Sequence, residues 1–564
     1  MFRHSPVREK SPYQLRAFIG VLTLLGCGTT PEETPDPASG GAGGQGGIVA
    51  TGGGSAGASE AGTSSFGVGG ASGSATGGDT GAGGVSRTPA VGGMSGAGSS
   101  AGGSSAGSAP VGGSTIINDR FWKDTAGTPI YSQGGGVLQV GDTYYWYGVK
   151  YAGTVAYAAN PVDNDNTGFQ GITTYSSKDL VSWKLEATDK PSNTLGWFGR
   201  LGVAYNEKTK KYVLLAQGGG GLYFATSDKP SGGFVFDHVQ TNLPGIATGA
   251  TGDQTIFQDD DGQAYLVSSN SKGRGNRYIS PLRASDFLNA EEAILVYSGG
   301  GREGNCMFKY DGHYYFCSSD LHGWNSSQTY CVSASSIKGP YGPEFVLEGT
   351  QNDYSHVTQT GFFVAVKGSQ QTTIIFAGDR WSDFAGNGLG FNQWLPLSFN
   401  GTTPRFHSLS AWKLDASSGA WSVAPENNWV LNPTFEADRI SVTNAVGWKA
   451  TSGANAKDSR TGNWSWQING NGSLSQGVAD LPDGTYTLAV WAKSSGAGAE
   501  LYVSGGADKK VAIPAGMSWS QVMLKDIAIT GGKAELGVTS GGQTVKVDDF
   551  TLVGAPAVDD RRLR

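Results

Sequence analysis

The chain has 564 residues, more than one ordinary domain holds. Glycine supplies 91 of them, against a usual share of roughly 7%, and the excess is packed into one N-terminal stretch, so the folded part is shorter than the length suggests. Lys and Arg total 40 against 47 for Asp and Glu, a net charge of -7 without any basic run, which argues against a nucleic-acid partner.

Residues 1–27 read as an export signal. Arg3, Arg8, Lys10 and Arg16 form a positive head, and Ala17 to Leu25 form an apolar run too short to span a bilayer. The following Leu24-Leu25-Gly26-Cys27 resembles the bacterial lipoprotein signal, which implies Cys27 as the lipidated first residue of the mature chain. The expected location is extracellular or at the cell surface, with contact to a bacterial membrane through the lipid only. Residues 28–114 are dominated by Gly, Ala, Ser and Thr. Such a composition buries too little apolar surface to offset its ordering entropy, so this stretch reads as a flexible spacer. In an oxidising compartment Cys306, Cys317 and Cys331 are candidates for a disulfide, and their spacing does not suit a zinc site.

From Asp119 onward, short aromatic and β-branched runs alternate with tight-turn pairs, and the chain reads as all-β. Turn pairs recur at Gly141-Asp142, Thr209-Lys210, Asp261-Gly262, Asp311-Gly312 and Gly368-Ser369, at intervals of about 50 to 68 residues. One four-stranded sheet per repeat is the signature of a propeller, which predicts a five-bladed β-propeller over residues 115–424. FATSDKPSGGF and VSASSIKGPYGP look like one outer-strand corner used twice. A large β-sandwich offers no reason for this period. A two-residue turn at Asp311-Gly312 puts Cys306 opposite Cys317; a Cys306–Cys317 bridge, a Cys317–Cys331 bridge and free buried thiols all remain open.

Residues 425–556 change texture, with NWVLNPTFE, LPDGTYTLAVWAKSS and VKVDDFTLVG as alternating strands of a second β domain, followed by a tail at 557–564. This segment resembles the jelly-roll carbohydrate-binding modules. Trp464 and Trp466 stand as sugar platforms or as sandwich packing. Glu436 with Asp548 stands as a structural Ca²⁺ site or as a pair of solvated acids.

A propeller brings equivalent positions of its innermost strands to one axial point. Asp253, Glu303 and Gln359 each lie nine residues before the glycine of their turn, and Gln133 lies eight before Gly141. These four side chains are expected to line an axial pocket. Glycoside hydrolysis requires a proton donor for the leaving oxygen. Glu303 is the candidate acid, because the charge of Asp253 would hold its proton on, with Arg302 keeping the geometry; the alternative is a structural carboxylate bridging blades to Arg302.

The stretches FWKDTAGTPIYSQGGGVLQVGDTYYWYG, TGDQTIFQDDDGQAYLVSS, GREGNCMFKYDGHYYF, FAGDRW and QWLPLSF resemble glycoside hydrolase family 43, and within it the exo-β-1,3-galactanase group. The resemblance implies an inverting glycosidase that cleaves β-1,3-galactan from its end. Glu303 would be the general acid, Asp253 the group that tunes it, and Gln359 the holder of water, with no cofactor for catalysis. Two positions depart from the pattern: Gly199-Arg200-Leu201 stands where the group carries Glu-Arg-Pro, and Gln133 replaces a His. An arabinofuranosidase or β-xylosidase of the same family, or a surface sugar-binding protein with impaired catalysis, are the alternatives. Trp197, Trp324 and Trp381 are candidates for a stacking wall beside a pyranose ring, with Gln133 as a further substrate contact. The expected partner is a polysaccharide or oligosaccharide, met by a monomer.

Overall fold

The structure, a computed structural model, describes residues 113–554 apart from 160–165, 192–197, 219, 324, 352–353, 383–386, 438–444 and 507. The export signal with Cys27, the spacer up to residue 112, Trp197, Trp324 and the tail at 557–564 lie outside the described residues. Ser114 opens a strand, Ser114–Ile117, instead of closing the spacer. Thr115, Ile116 and Ile117 supply β-branched side chains there, and Ile116 is buried.

Five four-stranded antiparallel sheets follow in chain order. Their innermost strands are Gln133–Val140, Phe198–Asn206, Thr251–Gln258, Glu303–Tyr310 and Gln359–Lys367. Each touches the innermost strand of the next blade, and the fifth touches the first, so the ring closes as a five-bladed propeller. The recurring turns are where the spacing predicts them. Val140 pairs with Thr143 and Tyr310 with His313, which makes Gly141-Asp142 and Asp311-Gly312 two-residue hairpins. Asp311 and Gly312 both have positive φ, 46° and 74°, as a type I′ turn requires. The other three turns are wider, closing at Asn206–Lys211, Gln258–Ala264 and Lys367–Thr372. The two resembling corner segments each link the third and fourth strands of a blade, the second and the fourth.

Apolar side chains fill the wedges between blades. Tyr147, Val149, Leu201 and Leu214 pack between the first and second blades, and Val267, Ile279, Phe316 and Val332 between the third and fourth. Fully burying such a side chain stabilises the fold by roughly 1.5–3 kcal/mol. The first and fifth blades share no strand; they are joined by a tryptophan cluster in which Trp146 and Trp183 lie 5.1 and 5.7 Å from Trp394. A three-stranded sheet of Ser114–Ile117, Ala411–Leu414 and Trp421–Val423 covers this seam through Ile116, Trp412 and Leu414. Of the cysteine pairings left open, Cys317–Cys331 is the bridge, between directly opposed residues, while Cys306 stays a free buried thiol facing Cys317 from the other side.

The C-terminal domain is a jelly-roll sandwich of two five-stranded antiparallel sheets. Its core holds Phe435, Trp448, Leu488, Leu536 and Phe550. Trp466 is fully buried in that core and cannot present a face to sugar, and Trp464 packs partly buried against the same cluster. The alternation of strand residues explains it: Trp466 points inward with Ile468, two residues on along the same strand. The sandwich is tied to the propeller through Asn427, whose Oδ1 accepts from Ala411 N, and through an Arg405–Asp480 ion pair at 2.6 Å. No helix among the described residues is long and apolar enough to cross a membrane.

Candidate active site

The axial end of every innermost strand is irregular. Pairing shifts register between Gln133 and Gly136, Phe198 and Leu201, Thr251 and Gln254, Glu303 and Cys306, and Thr360 and Phe362. A bulge breaks the alternation of a strand and re-aims its side chains, here toward the axis. At Gly304 this needs glycine: φ is +61°, and a Cβ would lie 2.4 Å from the Thr360 carbonyl oxygen. The freed Gly304 N–H donates to Asp253 Oδ2 at 3.1 Å.

Around this point the structure brings together Asp253, Glu303 and Gln359 from three blades. Gln359 Nε2 donates to Glu303 Oε1 at 2.8 Å. Arg274 Nη1 donates to Glu303 Oε2 at 2.5 Å and lies 3.4 Å from Asp253 Oδ1. At the centre sits Arg200, only 4% exposed. Its Nε donates to Asp253 Oδ2 at 3.0 Å, Nη1 to Asp379 Oδ2 at 2.7 Å, and Nη2 to Gln359 Oε1 at 2.7 Å. Trp381 is buried, gives its indole N–H to Gln359 Oε1 at 2.8 Å, and lies 5.5 Å from the Arg200 guanidinium. Gln133 is buried too, but donates to the Gly390 carbonyl at 2.7 Å, and its Oε1 has no hydrogen-bond partner among the described residues.

The electrostatics separate the carboxylates. Burial, then the charge of Asp253, pushes Glu303 up to about 7, against the pull of Arg274, Arg200 and the Gln359 hydrogen bond. Asp253 suffers burial as well, yet Arg200, Arg274 and the Gly304 amide hold it below the usual carboxylate range. Asp379 is pushed up by burial, with Arg200 opposing. Two guanidiniums facing three carboxylates balance when one carboxylate keeps its proton, and Glu303, pushed up to about 7 by burial and by Asp253, is the candidate. A protonated carboxylic acid beside a fixed carboxylate is what donation to a leaving oxygen requires.

The residue assigned to hold the geometry proves to be a different arginine. Arg302 donates to Glu344 and Asp320 and stacks over Tyr330, away from Glu303. It directly precedes Glu303, and neighbouring strand residues point to opposite faces, so the two cannot share the axis. Arg274, from the glycine-flanked segment Gly273-Arg274-Gly275, takes that place; the flanking glycines were the available signal. Asp379 was also overlooked, although it lies two residues before Trp381 and therefore on the same face. Gly199 leaves no second-blade carboxylate, and the neighbouring Arg200 fills the axis instead.

Gln359 is fully engaged. Its oxygen accepts from Arg200 and Trp381, and its nitrogen donates to Glu303 and lies 3.4 Å from the Gly323 carbonyl. In inverting glycosidases the acid and the group that activates water stand about 6.5–9.5 Å apart. Gln359, in direct contact with Glu303, is placed to orient that carboxyl group; holding water on the far face of a sugar would require it to leave this contact.

In the sandwich, Glu436 accepts from the backbone N–H groups of Asn463 and Trp464, and Asp548 from those of Arg460 and Thr461. Both carboxylates grip one loop, and burial pushes each up to about 7, Asp548 with help from Asp549. Among the described residues no group of three or more His, Cys, Asp or Glu side chains is arranged to hold a metal.

Comparison with known proteins agrees with this architecture. Residues 135–381 match the model of Glycosyl hydrolases family 43. The exo-β-1,3-galactanase from Phanerochaete chrysosporium, solved with β-1,3-galactotriose, shares the fold at a TM-score of 0.51 and 23% identity, over 78% of this chain and 99% of that one. The same enzyme solved with galactose gives 0.50 and 23%, over 78% and 100%. No curated protein sequence matches the chain. With the propeller, its axial carboxylates and the matched stretch all in one domain, residues 135–381 carry a domain that matches glycosyl hydrolase family 43, and the protein is a glycosidase acting on O-glycosyl bonds.

Proposed function

We propose that the enzyme removes galactose from the end of β-1,3-galactan with inversion, Glu303 protonating the departing oxygen. The observation that carries the chemistry is a nearly buried Glu303, lifted to about 7 beside a charged Asp253. Asp253 already accepts from Arg200 and Gly304, with Arg274 at 3.4 Å, which leaves it poorly free to attack the sugar and supports direct attack by water with inversion. Support for galactan comes from the motif resemblance and from the fold shared with an exo-β-1,3-galactanase. Gly199 favours the second reading, a sugar-binding protein of impaired catalysis, because the carboxylate expected in the second blade is missing there. Product analysis separates the readings. Release of galactose from β-1,3-galactan supports the proposal, arabinose or xylose from arabinan or xylan favours the sister activity, and binding without product favours the impaired protein. The anomeric form of the first product, read by NMR, checks inversion.

We also propose that residues 1–27 act as an export signal, that Cys27 is lipidated and that the spacer after it holds a monomeric enzyme at the cell surface, where it meets plant-type polysaccharide. For the sandwich we propose polysaccharide binding through Trp491 and Trp519, half-buried side chains with Arg460 and Lys493 over their rings. We also propose a structural Ca²⁺ at Glu436 and Asp548, two carboxylates that close on one loop. Added Ca²⁺ raises the melting temperature by several degrees and a chelator reverses it; an unchanged transition rules the ion out.

A further inference from the structure

Immediately before Gln359, the chain makes a turn that L-amino acids avoid. Tyr354, Ser355, His356 and Val357 all have left-handed backbones, with φ of 51°, 57°, 57° and 55°. Left-handed residues occur routinely as single glycines or asparagines, not as four successive side-chain-bearing residues, one of them β-branched. Strain of this kind persists only where the surroundings over-determine it, and it gathers at functional sites.

The surroundings here are a buried polar clamp. Arg380 donates from Nε to the Val357 carbonyl at 3.1 Å, from Nη2 to the His356 carbonyl at 2.7 Å and from Nη1 to Asp119 Oδ1 at 2.7 Å. His356 Nε2 lies 3.1 Å from Asp119 Oδ2, and its Nδ1 lies 2.8 Å from Ser408 Oγ. Ser355 Oγ donates to the Ser327 carbonyl, and Thr358 Oγ1 to that of Ser355. Asp119 belongs to the segment that follows the first strand, so the entry of the propeller reaches across to fasten its last blade. The strand stretch Asp379-Arg380-Trp381 works on both faces. Asp379 and Trp381 point to the axis, onto Arg200 and Gln359, while Arg380 between them points back onto the turn.

We propose that Asp119, His356 and Arg380 are positioning residues: they lock the left-handed turn Tyr354–Val357, and the turn fixes Gln359 so that its amide holds Glu303 in the orientation for proton donation. This inference rests on the assignment of Glu303 as the acid. The groups facing Glu303 are Asp253, Arg274, Arg200 and Gln359. Of these, Gln359 is the neutral donor whose hydrogen bond favours the ionised form, and the clamp acts through it. Loosening the turn weakens that bond, so Glu303 keeps its proton to higher pH while its placement suffers.

The test uses the full chain and whichever glycoside of the panel above gives most product. Asp119→Asn and Arg380→Lys are each expected to lower kcat about tenfold or more, as small misplacements of reacting groups do, with KM within about twofold. The basic limb of the kcat profile moves to higher pH, by on the order of half a unit. Tyr354→Gly removes strain at an exposed position, and combined with Arg380→Lys it restores much of the lost kcat, because a turn that glycine adopts freely needs less clamping. A purely structural ion pair would change the amount of folded enzyme and leave both the limb and the rescue untouched. Should Arg380→Lys not fold, the profile of Asp119→Asn decides. Glu303→Gln separates the two levels. Retained turnover in that variant overturns the acid assignment and this inference with it. Lost turnover there, with an unmoved limb in Asp119→Asn, overturns the clamp alone.

Discussion

At the scale of single residues, the site is a problem of charge balance. Glu303 sits near 7 because burial and Asp253 outweigh Arg274 and Arg200. Activity that needs its proton therefore falls as pH rises through about 7. Arg274→Met removes a cation that favours the ionised form, so the basic limb moves to higher pH in a rate profile; a limb that stays or moves to lower pH contradicts the assignment. The same group affects stability. Its folded value is raised above the unfolded one, so its contribution is fully present at low pH and is lost as pH rises through the folded value, by on the order of 3 kcal/mol in the limit. Glu303→Gln lacks this titration, and its melting temperature relative to wild type is expected to be higher at pH 8 than at pH 4. Asp253, Glu303 and Gln359 were legible in the sequence because counting back from a turn places them at one position. Arg200 and Arg274 were not, since a bulge and a left-handed loop residue aim them, and neither leaves a periodic trace.

At the scale of elements, the hairpin spacing carried the fold. Turn pairs specify a hairpin locally, and the aromatic and β-branched runs beside them can only be strands, so five blades followed from five repeats. What escaped is the departure from regularity at the axial ends. Gly304 shows how much depends on it: Gly304→Ala brings a Cβ to 2.4 Å from the Thr360 oxygen at a positive φ. The backbone term alone costs about 1–2 kcal/mol, and relief of the clash moves the Asp253 contact. The expected result is a lower melting temperature together with a loss of kcat, and a variant with wild-type kcat contradicts the view that the bulge aims the site. The turn Tyr354–Val357 is the opposite case. Nothing in Tyr-Ser-His-Val suggests a left-handed backbone, because the cause lies in Asp119 and Arg380, distant in the chain. Trp466 was open between a sugar platform and sandwich packing because sequence does not say which face of a short strand turns to the core, and a one-residue slip exchanges core for surface.

At the scale of the molecule, the parts divide the work: a propeller that hydrolyses, a sandwich proposed to hold polymer, and a spacer proposed to keep both off a membrane. Removing the whole sandwich would also strip the Asn427 and Arg405 contacts from the propeller, so a surface change is the cleaner probe. Trp491→Ala with Trp519→Ala is expected to weaken action on insoluble polymer severalfold while sparing a short oligosaccharide, since a tethered module raises local concentration. Equal losses on both substrates in initial-rate assays contradict a binding role.

The most direct test of Glu303 as proton donor is the ratio of two rates in Glu303→Gln. On a natural oligosaccharide, whose leaving oxygen needs a proton, turnover should fall by about 10² to 10⁴. On a glycosyl fluoride or dinitrophenyl glycoside of the same sugar, whose leaving group departs without one, most of the rate should remain. Equal losses on both would show that Glu303 does something other than donate the proton.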